Sequence, residues 1–274
     1  MPLAPSVLGV IIALAAPECF SAHTNLAYGD APRQHADVYM PKKHGPHTPV
    51  VVFFYGGTWQ AGDRGYYRFV GTTLASNGVV AVIPDYTLYP DAPYPQFLRD
   101  NAQAVRWAKQ HAAEWGGDPD EVFLAGHSAG GYDAVMLGVD KRWLADVGLD
   151  PKRDIAGVIG LAGMYDFGPQ DDINLPAVFG DIEWMAGQPI RYANADVPPM
   201  LLLAGENDTE VNPGNTTRMA AHLQSAGAEA TAEIFPHLGH TDTLTSIMPP
   251  FRAKAPVLRR MLDFIHQVAG RRAE

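Results

Sequence analysis

The sequence predicts an α/β fold in which helices cover both faces of a mostly parallel central sheet. Two continuous apolar runs, at residues 50–55 and 78–83, have the length and composition of strands that are buried on both faces. Strands alternate with stretches whose apolar residues follow the spacing of amphipathic helices, so the strands are expected to run parallel. No internal repeat or low-complexity linker divides the 274 residues, and one domain spanning residues 1–274 is therefore predicted.

The first half of the chain supplies the predicted strands and helix that lead to a central turn. Residues 35–40 alternate between apolar and polar, as in a half-buried strand that precedes the two apolar runs. A long helix is predicted from about residue 95 to 115. Its apolar stripe consists of Leu98, Ala102, Val105, Ala108, Ala112 and Trp115. The next strand is predicted at 122–125, with a helix after it at 131–137.

The second half continues the alternation of strands and helices. Strands are predicted at 155–161, 200–204 and 230–235, and helices at about 213–225 and 252–268. Ligands bind such sheets at the carboxyl ends of the strands. We therefore expect the functional residues in the loops that follow these strands.

One irregular segment, residues 164–196, interrupts the alternation. It carries large aromatic and apolar residues among Pro, Gly and Asp, and it follows the strand at 155–161. Long irregular segments in compact domains are usually functional. We interpret it as a short cap over the site, the alternative being a surface loop. Its aromatic residues Phe179, Trp184 and Tyr192 predict a narrow substrate pocket, which they are expected to line together with Trp59.

The N-terminal segment, residues 1–25, is apolar and fits two interpretations. Its ten-residue apolar run at 7–16 is too short for a membrane-spanning helix, which needs about 20 residues, so no transmembrane span is predicted. The run resembles the core of a signal peptide, but no Lys or Arg lies between Met1 and His23. A signal peptide and a short apolar helix packed on the domain both stay open. A cytoplasmic and a periplasmic or secreted location therefore stay open as well.

Composition excludes two classes of function. The formal net charge of −10 disfavours nucleic-acid binding, which needs clustered Lys and Arg. Cys19 is the single cysteine, so neither an intrachain disulfide framework nor a cysteine-rich metal site is possible. No cofactor or metal is implied by any motif, and the oligomeric state is left open.

The most informative motif is Gly126-His127-Ser128-Ala129-Gly130, a G-x-S-x-G pentapeptide between a predicted strand and a predicted helix. In that context the serine lies on a sharp turn, and its two glycine neighbours allow strand and helix to pass closely. The turn exposes the hydroxyl beside the first turn of the helix. There the backbone N–H of Ala129 is free to bind an oxyanion. Ser128 is the predicted nucleophile.

A serine nucleophile needs a base and an orienting carboxylate. When the serine lies on a turn between a strand and a helix, the carboxylate and then the base follow it in the chain. Asp208 is the predicted acid, in the loop after the strand at 200–204, with Glu206 as its rival. His240 is the predicted base, because it follows Gly239 and precedes a plausible helix start. His237 is the alternative. The side chain of His127 is expected to point away from Ser128.

An oxyanion hole needs a second source of backbone N–H groups. The strand at 50–55 runs into Gly56 and Gly57, where the backbone can approach a substrate carbonyl without obstruction. Gly57 and Thr58 are the predicted donors besides Ala129, with Gly56 as a third candidate. A plain turn after a strand is the alternative interpretation.

Together these motifs resemble the α/β-hydrolase superfamily. They are similar to its carboxylesterase branch, which includes hormone-sensitive-lipase-like, kynurenine-formamidase-like and BD-FAE-type enzymes. The motifs that carry the resemblance are Tyr55-Gly56-Gly57-Thr58-Trp59, Asp85-Tyr86-Thr87-Leu88-Tyr89-Pro90, Gly126 to Gly131, Gly205 to Val211, and His240. The resemblance covers roughly residue 26 to the end and implies an α/β-hydrolase fold.

Two positions depart from the pattern of that branch. Tyr55 stands where that branch has a histidine that braces the oxyanion loop, and the oxyanion hole is expected to be kept. Thr87 replaces an arginine, which removes a structural ion pair with a nearby carboxylate. Asp85 and Tyr86 are then expected to support the site rather than to act in catalysis.

The sequence therefore predicts a serine hydrolase that cleaves small-molecule carboxylic esters of short to medium acyl chain through an acyl-enzyme. An arylformamidase, which uses the same residues on an N-formyl aromatic amide, is the alternative within enzymes. A non-catalytic ligand-binding protein of the same fold is the alternative outside them, and the presence of Ser128, Asp208 and His240 argues against it.

Overall fold

The computed structural model describes residues 19–168, 175–180 and 182–272. Its centre is one eight-stranded sheet with the strand order β1-β2-β4-β3-β5-β6-β7-β8. The strands are β1 (Phe20–Ala27), β2 (His35–Pro41), β3 (Val50–Phe54), β4 (Val80–Pro84), β5 (Val122–His127), β6 (Gly157–Leu161), β7 (Met200–Gly205) and β8 (Ala230–Phe235).

The sheet is parallel from β4 to β8 and antiparallel at its β1 edge. All residues of β3 to β7 are buried, which explains why their sequences are continuous apolar runs. Each of the seven strands predicted between residues 35 and 235 is present. The mostly parallel sheet predicted from the alternation is confirmed.

The strand β1 was not predicted, because its residues fall partly within the apolar N-terminal segment 1–25. It pairs with β2 at the edge of the sheet, and its side chains are half-buried or exposed. Such a strand lacks the apolar run that identifies a central strand. The apolar run at 7–16 lies outside the described residues, so the structure tests neither of its two interpretations.

Helices cover the sheet on both sides. They are α1 (Arg68–Ser76), α2 (Gln96–His111), α3 (Ala129–Val139), α4 (Lys141–Ala145), α5 (Pro151–Asp154), α6 (Leu175–Phe179), α7 (Gly214–Ser225), α8 (His240–Thr245) and α9 (Val257–Arg272). Gly138 of α3 packs against Val158 of β6, whereas Phe264 of α9 packs against Gly157. Because successive strand residues point to opposite faces, α3 and α9 lie on opposite sides of the sheet.

Two helix predictions need correction. The helix α1 was missed, because it is short and combines Gly71 with threonines, which weaken a helical signal. The last helix begins at Val257 rather than near residue 252. Pro256 explains the later start, since a proline disfavours helical backbone in the residue before it and is tolerated at a helix entrance.

The predicted cap, residues 164–196, is described except for 169–174 and 181. It contains α6 and two short 3₁₀ helices, Trp184–Gly187 and Pro189–Tyr192. The segment therefore departs from the β-α alternation, as its composition indicates. None of the helices in the described part of the chain is both long enough and apolar enough to cross a membrane.

Candidate active site

Ser128 lies on the turn that connects β5 to α3. Its backbone has φ 57° and ψ −121°, a conformation that costs a residue with a side chain about 1–3 kcal/mol. A Cβ on Gly126 would overlap the carbonyl group of Gly130, and one on Gly130 would overlap that of Phe54. The strand and the helix thus approach each other as the G-x-S-x-G pattern predicts. The backbone strain is held in place by this packing and by the Ser128 N–H, which donates to the Leu161 carbonyl at 2.9 Å.

His240 and Asp208 form a buried hydrogen-bonded pair. The distance between His240 Nδ1 and Asp208 Oδ2 is 2.8 Å, and the two side chains are only 6% and 0% exposed. The other carboxylate oxygen of Asp208 accepts the backbone N–H groups of Glu210 and Val211 at 3.0 and 2.8 Å. Because both oxygens are fixed, the carboxylate can hold the imidazole of His240 in one orientation and one tautomer.

The two rival residues lie elsewhere in the same loops. The carboxylate of Glu206 accepts the backbone N–H of His237 at 3.3 Å. His237 itself is exposed, with a positive φ of 65° in the turn after β8. The structure therefore brings Asp208, and not Glu206, to His240.

The loops of Asp208 and His240, the predicted acid and base, touch each other. The backbone N–H of Asn207 donates to the Leu238 carbonyl at 2.9 Å. A Cβ on Gly205 would overlap that same carbonyl, so the approach requires glycine at the end of β7. This contact sets the distance between Asp208 and His240.

His127 connects His240, the predicted base, to the turn that carries Ser128. Its Nε2 lies 3.1 Å from the backbone carbonyl of His240, and the two imidazole rings are 4.7 Å apart between centroids. His127 precedes Ser128 directly in the chain. This contact places His240 beside the turn that carries Ser128. It also gives the side chain of His127 a partner away from Ser128.

His127 is buried and neutral. Burial, followed by the proximity of His240, lowers the pKa of the His127 imidazole to about 3. A neutral ring can donate its Nε2–H to the His240 carbonyl and carry no charge next to the base. Sequence reasoning assigned no role to this side chain, although it lies within the motif itself.

We expect the low pKa of His127 to make the protein less stable in acid. The unfolded chain binds a proton below the ordinary imidazole pKa of 6.5, whereas the folded protein does so only near pH 3. The stabilisation is complete above pH 6.5 and falls as the pH decreases through that window. Between pH 6.5 and pH 5, wild type should lose about 2 kcal/mol more unfolding free energy than His127→Gln.

Urea denaturation at both pH values measures this difference. His237→Gln serves as the matched control, because that histidine is exposed and should leave the wild-type pH dependence in place. Equal losses of stability in wild type and His127→Gln would show that His127 accepts a proton in the folded state.

The loop after β3 lies against the nucleophile turn. A Cβ on Gly56 would come within 2.9 Å of the Ser128 Cβ, so only glycine permits this approach. Gly57, Thr58 and Trp59 then have φ angles of 129°, 50° and 56°. Within the described part of the chain, no acceptor pairs with the N–H groups of Gly57, Thr58 or Ala129. The three predicted oxyanion donors thus have no acceptor among the residues that the structure describes.

Tyr55, the first departure from the carboxylesterase pattern, has polar partners of its own. Its hydroxyl donates to Asp85 Oδ1 at 2.8 Å and accepts from Arg33 Nη2 at 2.8 Å. Its ring stacks on Tyr86, with centroids 4.6 Å apart. Burial raises the pKa of the Tyr55 phenol, so the hydroxyl stays protonated and can donate. These contacts brace the start of the loop after β3.

Thr87, the second departure, contributes its backbone N–H to Asp100 Oδ2 at 2.9 Å. The ion pairs of the Asp85 carboxylate come from elsewhere in the chain, from Arg64 and from Arg33. The Asp85 carboxylate is therefore paired with two arginines distant in sequence, without a positive charge at position 87. A single sequence gives no signal that pairs them with Asp85.

The predicted pocket residues occupy different environments. Trp59 and Phe179 are buried against each other edge to face, with centroids 5.2 Å apart. Tyr192 is half-buried, and its hydroxyl accepts from Arg142 Nη2 at 2.9 Å and donates to the Ala186 carbonyl at 3.0 Å. The side chain of Trp184 lies outside what the structure describes. A contact between these four residues and a substrate stays a prediction.

A surface depression of about 470 Å³ adjoins the loop of Asp208. Met164 and Phe167 of the predicted cap line it, together with residues 208–213, Asn215 and Arg218. Among the side chains that the structure describes, those of Ser128, Trp59, Phe179 and Tyr192 do not line this depression. Among the described residues, no three His, Cys, Asp or Glu side chains converge closely enough to hold a metal ion.

The fold and these side chains define an α/β-hydrolase with a serine on a strained strand-to-helix turn and a buried His–Asp pair beside it. The chain belongs to the BD-FAE family, whose sequence model matches residues 36–223. Isoprenylcysteine alpha-carbonyl methylesterase ICME of Arabidopsis thaliana is 25% identical over 239 residues. Esterase LipC of Mycobacterium tuberculosis is 25% identical over 273 residues.

The alignments cover a larger share of this chain than of the two relatives. The alignments cover 80% and 90% of this chain, but only 56% and 65% of the two relatives' own lengths. Among solved structures, Esterase B from Lactobacillus rhamnosis, inhibited by a tributyrin phosphonate, matches with a TM-score of 0.82 at 22% identity. That match covers 97% of this chain and 91% of the other, and it supports the fold.

Proposed function

We propose that this protein is a serine hydrolase that cleaves carboxylic esters. The observation that carries the proposal is the buried His240–Asp208 pair beside Ser128. In the described part of the chain, the backbone N–H groups of Gly57, Thr58 and Ala129 have no acceptor. This is the set of groups that acyl transfer through an acyl-enzyme requires. The esterase and methylesterase relatives support an ester as the substrate.

In the proposed mechanism, the Ser128 hydroxyl attacks the ester carbonyl while His240 accepts its proton. Asp208 holds the imidazole in the tautomer that can accept at Nε2 and stabilises the imidazolium that forms. The N–H groups of Gly57, Thr58 and Ala129 bind the oxyanion of the tetrahedral intermediate. Each such donor is typically worth about 3 kcal/mol. His240 then protonates the leaving alcohol, and water releases the acid in a second, equivalent step.

We further propose that residues 164–196 form a cap of the single domain and limit the size of the acyl group. Two contacts support a packed segment. The Tyr132 hydroxyl donates to the Gly187 carbonyl at 2.9 Å, and the Phe167 N–H donates to Gln188 Oε1 at 2.8 Å. Phe167 and Phe179 also contact each other and the ring of Tyr132. A segment packed in this way leaves less room than an open groove.

We expect short acyl chains, from acetyl to hexanoyl, to be the preferred substrates. Each buried methylene contributes about 0.8 kcal/mol only until the pocket is full, so kcat/KM should rise, peak and then fall. A series of p-nitrophenyl esters from acetate to palmitate measures this directly. A rate that rises up to palmitate, with activation at a lipid–water interface, would instead indicate an open, lipase-like groove.

The same series tests the proposed function against its alternative. N-formylkynurenine is assayed beside the esters at equal concentration. A kcat/KM for the formamide well above that for every ester would assign the protein as an arylformamidase. Absence of hydrolysis of every compound in the panel would overturn the proposal.

A further inference from the structure

The oxyanion loop contains backbone that is unfavourable for its residues. Thr58 and Trp59 carry side chains, yet both have positive φ, and they follow Gly57 with a third positive φ. Such conformations persist only where the surrounding structure over-determines them. The two predicted donors of the loop, Gly57 and Thr58, depend on whatever holds this backbone.

The side chain of Trp59 is the firmest attachment of that loop. It is fully buried, and its Nε1–H donates to Asp133 Oδ1 at 2.9 Å. The indole stacks on Phe97 at 5.1 Å and meets the ring of Tyr132 edge-on at 5.1 Å. The Trp59 carbonyl also accepts the backbone N–H of Tyr89 at 2.7 Å.

Asp133 is a buried carboxyl that no step of the proposed mechanism uses. It lies on α3, five residues after Ser128, and its second oxygen accepts from Asn101 Nδ2 at 3.0 Å. Both partners are neutral donors, so the carboxyl does not balance a charge. Burial raises the pKa of the Asp133 carboxyl, and the two N–H donors oppose that rise. An acidic residue here costs free energy that an apolar residue would avoid.

We infer that Asp133 is a positioning residue, which fixes the oxyanion loop through the indole of Trp59. The helix α3 begins directly after Ser128 and carries Ala129, so the nucleophile and one donor belong to the same rigid element. The hydrogen bond from Trp59 to Asp133 ties the other two donors to that element. The inference rests on the proposed function, because it concerns an oxyanion hole. Asp133 itself contacts neither the substrate nor the reacting atoms.

Two substitutions that remove this hydrogen bond test the inference. Trp59→Phe removes the N–H and keeps an aromatic ring, and Asp133→Leu removes the acceptor. Each should lower kcat for p-nitrophenyl acetate roughly ten- to hundred-fold, with KM within about three-fold, because a displaced donor weakens transition-state binding selectively. Affinity for a trifluoromethyl ketone, which forms an oxyanion at Ser128, should fall in parallel. The double variant should lose little more than either single variant.

Two control variants separate positioning from packing. Asp133→Asn keeps an oxygen for the indole N–H. Asn101 Oδ1 has no partner among the described residues, so a flipped Asn101 amide can accept from the new side chain. This variant should retain kcat within about three-fold. Trp143→Phe makes the same change at a buried tryptophan whose Nε1 has no acceptor in the described part of the chain, and its kcat should equal that of wild type.

The outcomes distinguish this inference from the proposed function. Wild type that shows no Ser128-dependent hydrolysis overturns the proposed function and this inference together. Active wild type with unchanged kcat in folded Trp59→Phe overturns the inference alone, even where Asp133→Leu does not fold. Equal losses in Asp133→Asn and Asp133→Leu would also overturn it, because the hydrogen-bond acceptor would then not be what matters.

Discussion

Ser128→Ala is expected to lower kcat for p-nitrophenyl acetate by at least about 10³-fold while the protein stays folded. Without the nucleophile no acyl-enzyme forms, and only binding and the oxyanion hole remain to accelerate hydrolysis. Alanine removes one buried oxygen and keeps the backbone that the turn between β5 and α3 requires. Steady-state kinetics, with circular dichroism to verify folding, measure the effect.

Covalent labelling provides an independent test of the same residue. An organophosphate should modify Ser128 alone in wild type, and mass spectrometry of the labelled peptide identifies the site. Ser128→Ala should take up no label. A variant that retains more than a few per cent of wild-type kcat, or label on another serine, would place the nucleophile elsewhere.

His240→Ala is expected to be about as damaging as Ser128→Ala, and the double variant should be no worse than either. A nucleophile and its base act as a unit, so their losses do not add. The buried contact between His240 and Asp208 gives this histidine the orientation that a base needs. Rates of the three variants measured beside wild type test both statements.

His237→Ala is the matched control for His240→Ala. Both histidines follow β8, at positions 237 and 240, but His237 is exposed and its backbone N–H donates to Glu206. This control should keep most of the wild-type kcat. If His237→Ala is inactive and His240→Ala is active, the base is His237 and the assignment of Asp208 as its partner fails with it.

Much of the fold could be predicted because the sheet is buried on both faces. The strands β3 to β7 are buried at every position, and burial leaves mainly apolar runs that need no tertiary information to recognise. The edge strand β1 escaped prediction for the opposite reason, because its residues are half-buried or exposed and few of its positions are constrained to be apolar. The helix α1 escaped prediction because it is short and contains Gly71 and threonines.

The strained turn at Ser128 leaves a motif in the sequence, although only part of its steric requirement is local. Gly126 is required by the nearby carbonyl of Gly130, whereas Gly130 is required by the carbonyl of Phe54, at the end of a strand distant in sequence. In the loop after β3, Gly57 is required by the nearby carbonyl of Ala61, and Gly56 by the Cβ of Ser128. The glycines themselves can be identified from one sequence alone, and the distant contacts cannot.

Asp133 illustrates a weaker signal. It is the one charged residue in a helix whose eleven residues are all buried, so its sequence already marks it as unusual. What it binds is a different matter, because Trp59 and Asn101 lie 74 and 32 residues away along the chain. The anomaly is visible in the sequence and the partner is not.

The sequence by itself determined the class of fold, because burial on both faces leaves apolar runs, and it marked the turn at Ser128 and the loop after β3 by their glycines. Only the tertiary structure decided which carboxylate contacts His240, how His127 connects that histidine to Ser128, and which arginines surround Asp85. Those choices depend on where loops from distant parts of the chain meet, as at Asn207 and Leu238. Residue type and spacing carry no record of such a meeting, since Glu206 and Asp208 both carry a carboxyl group and only the path of the backbone separates them.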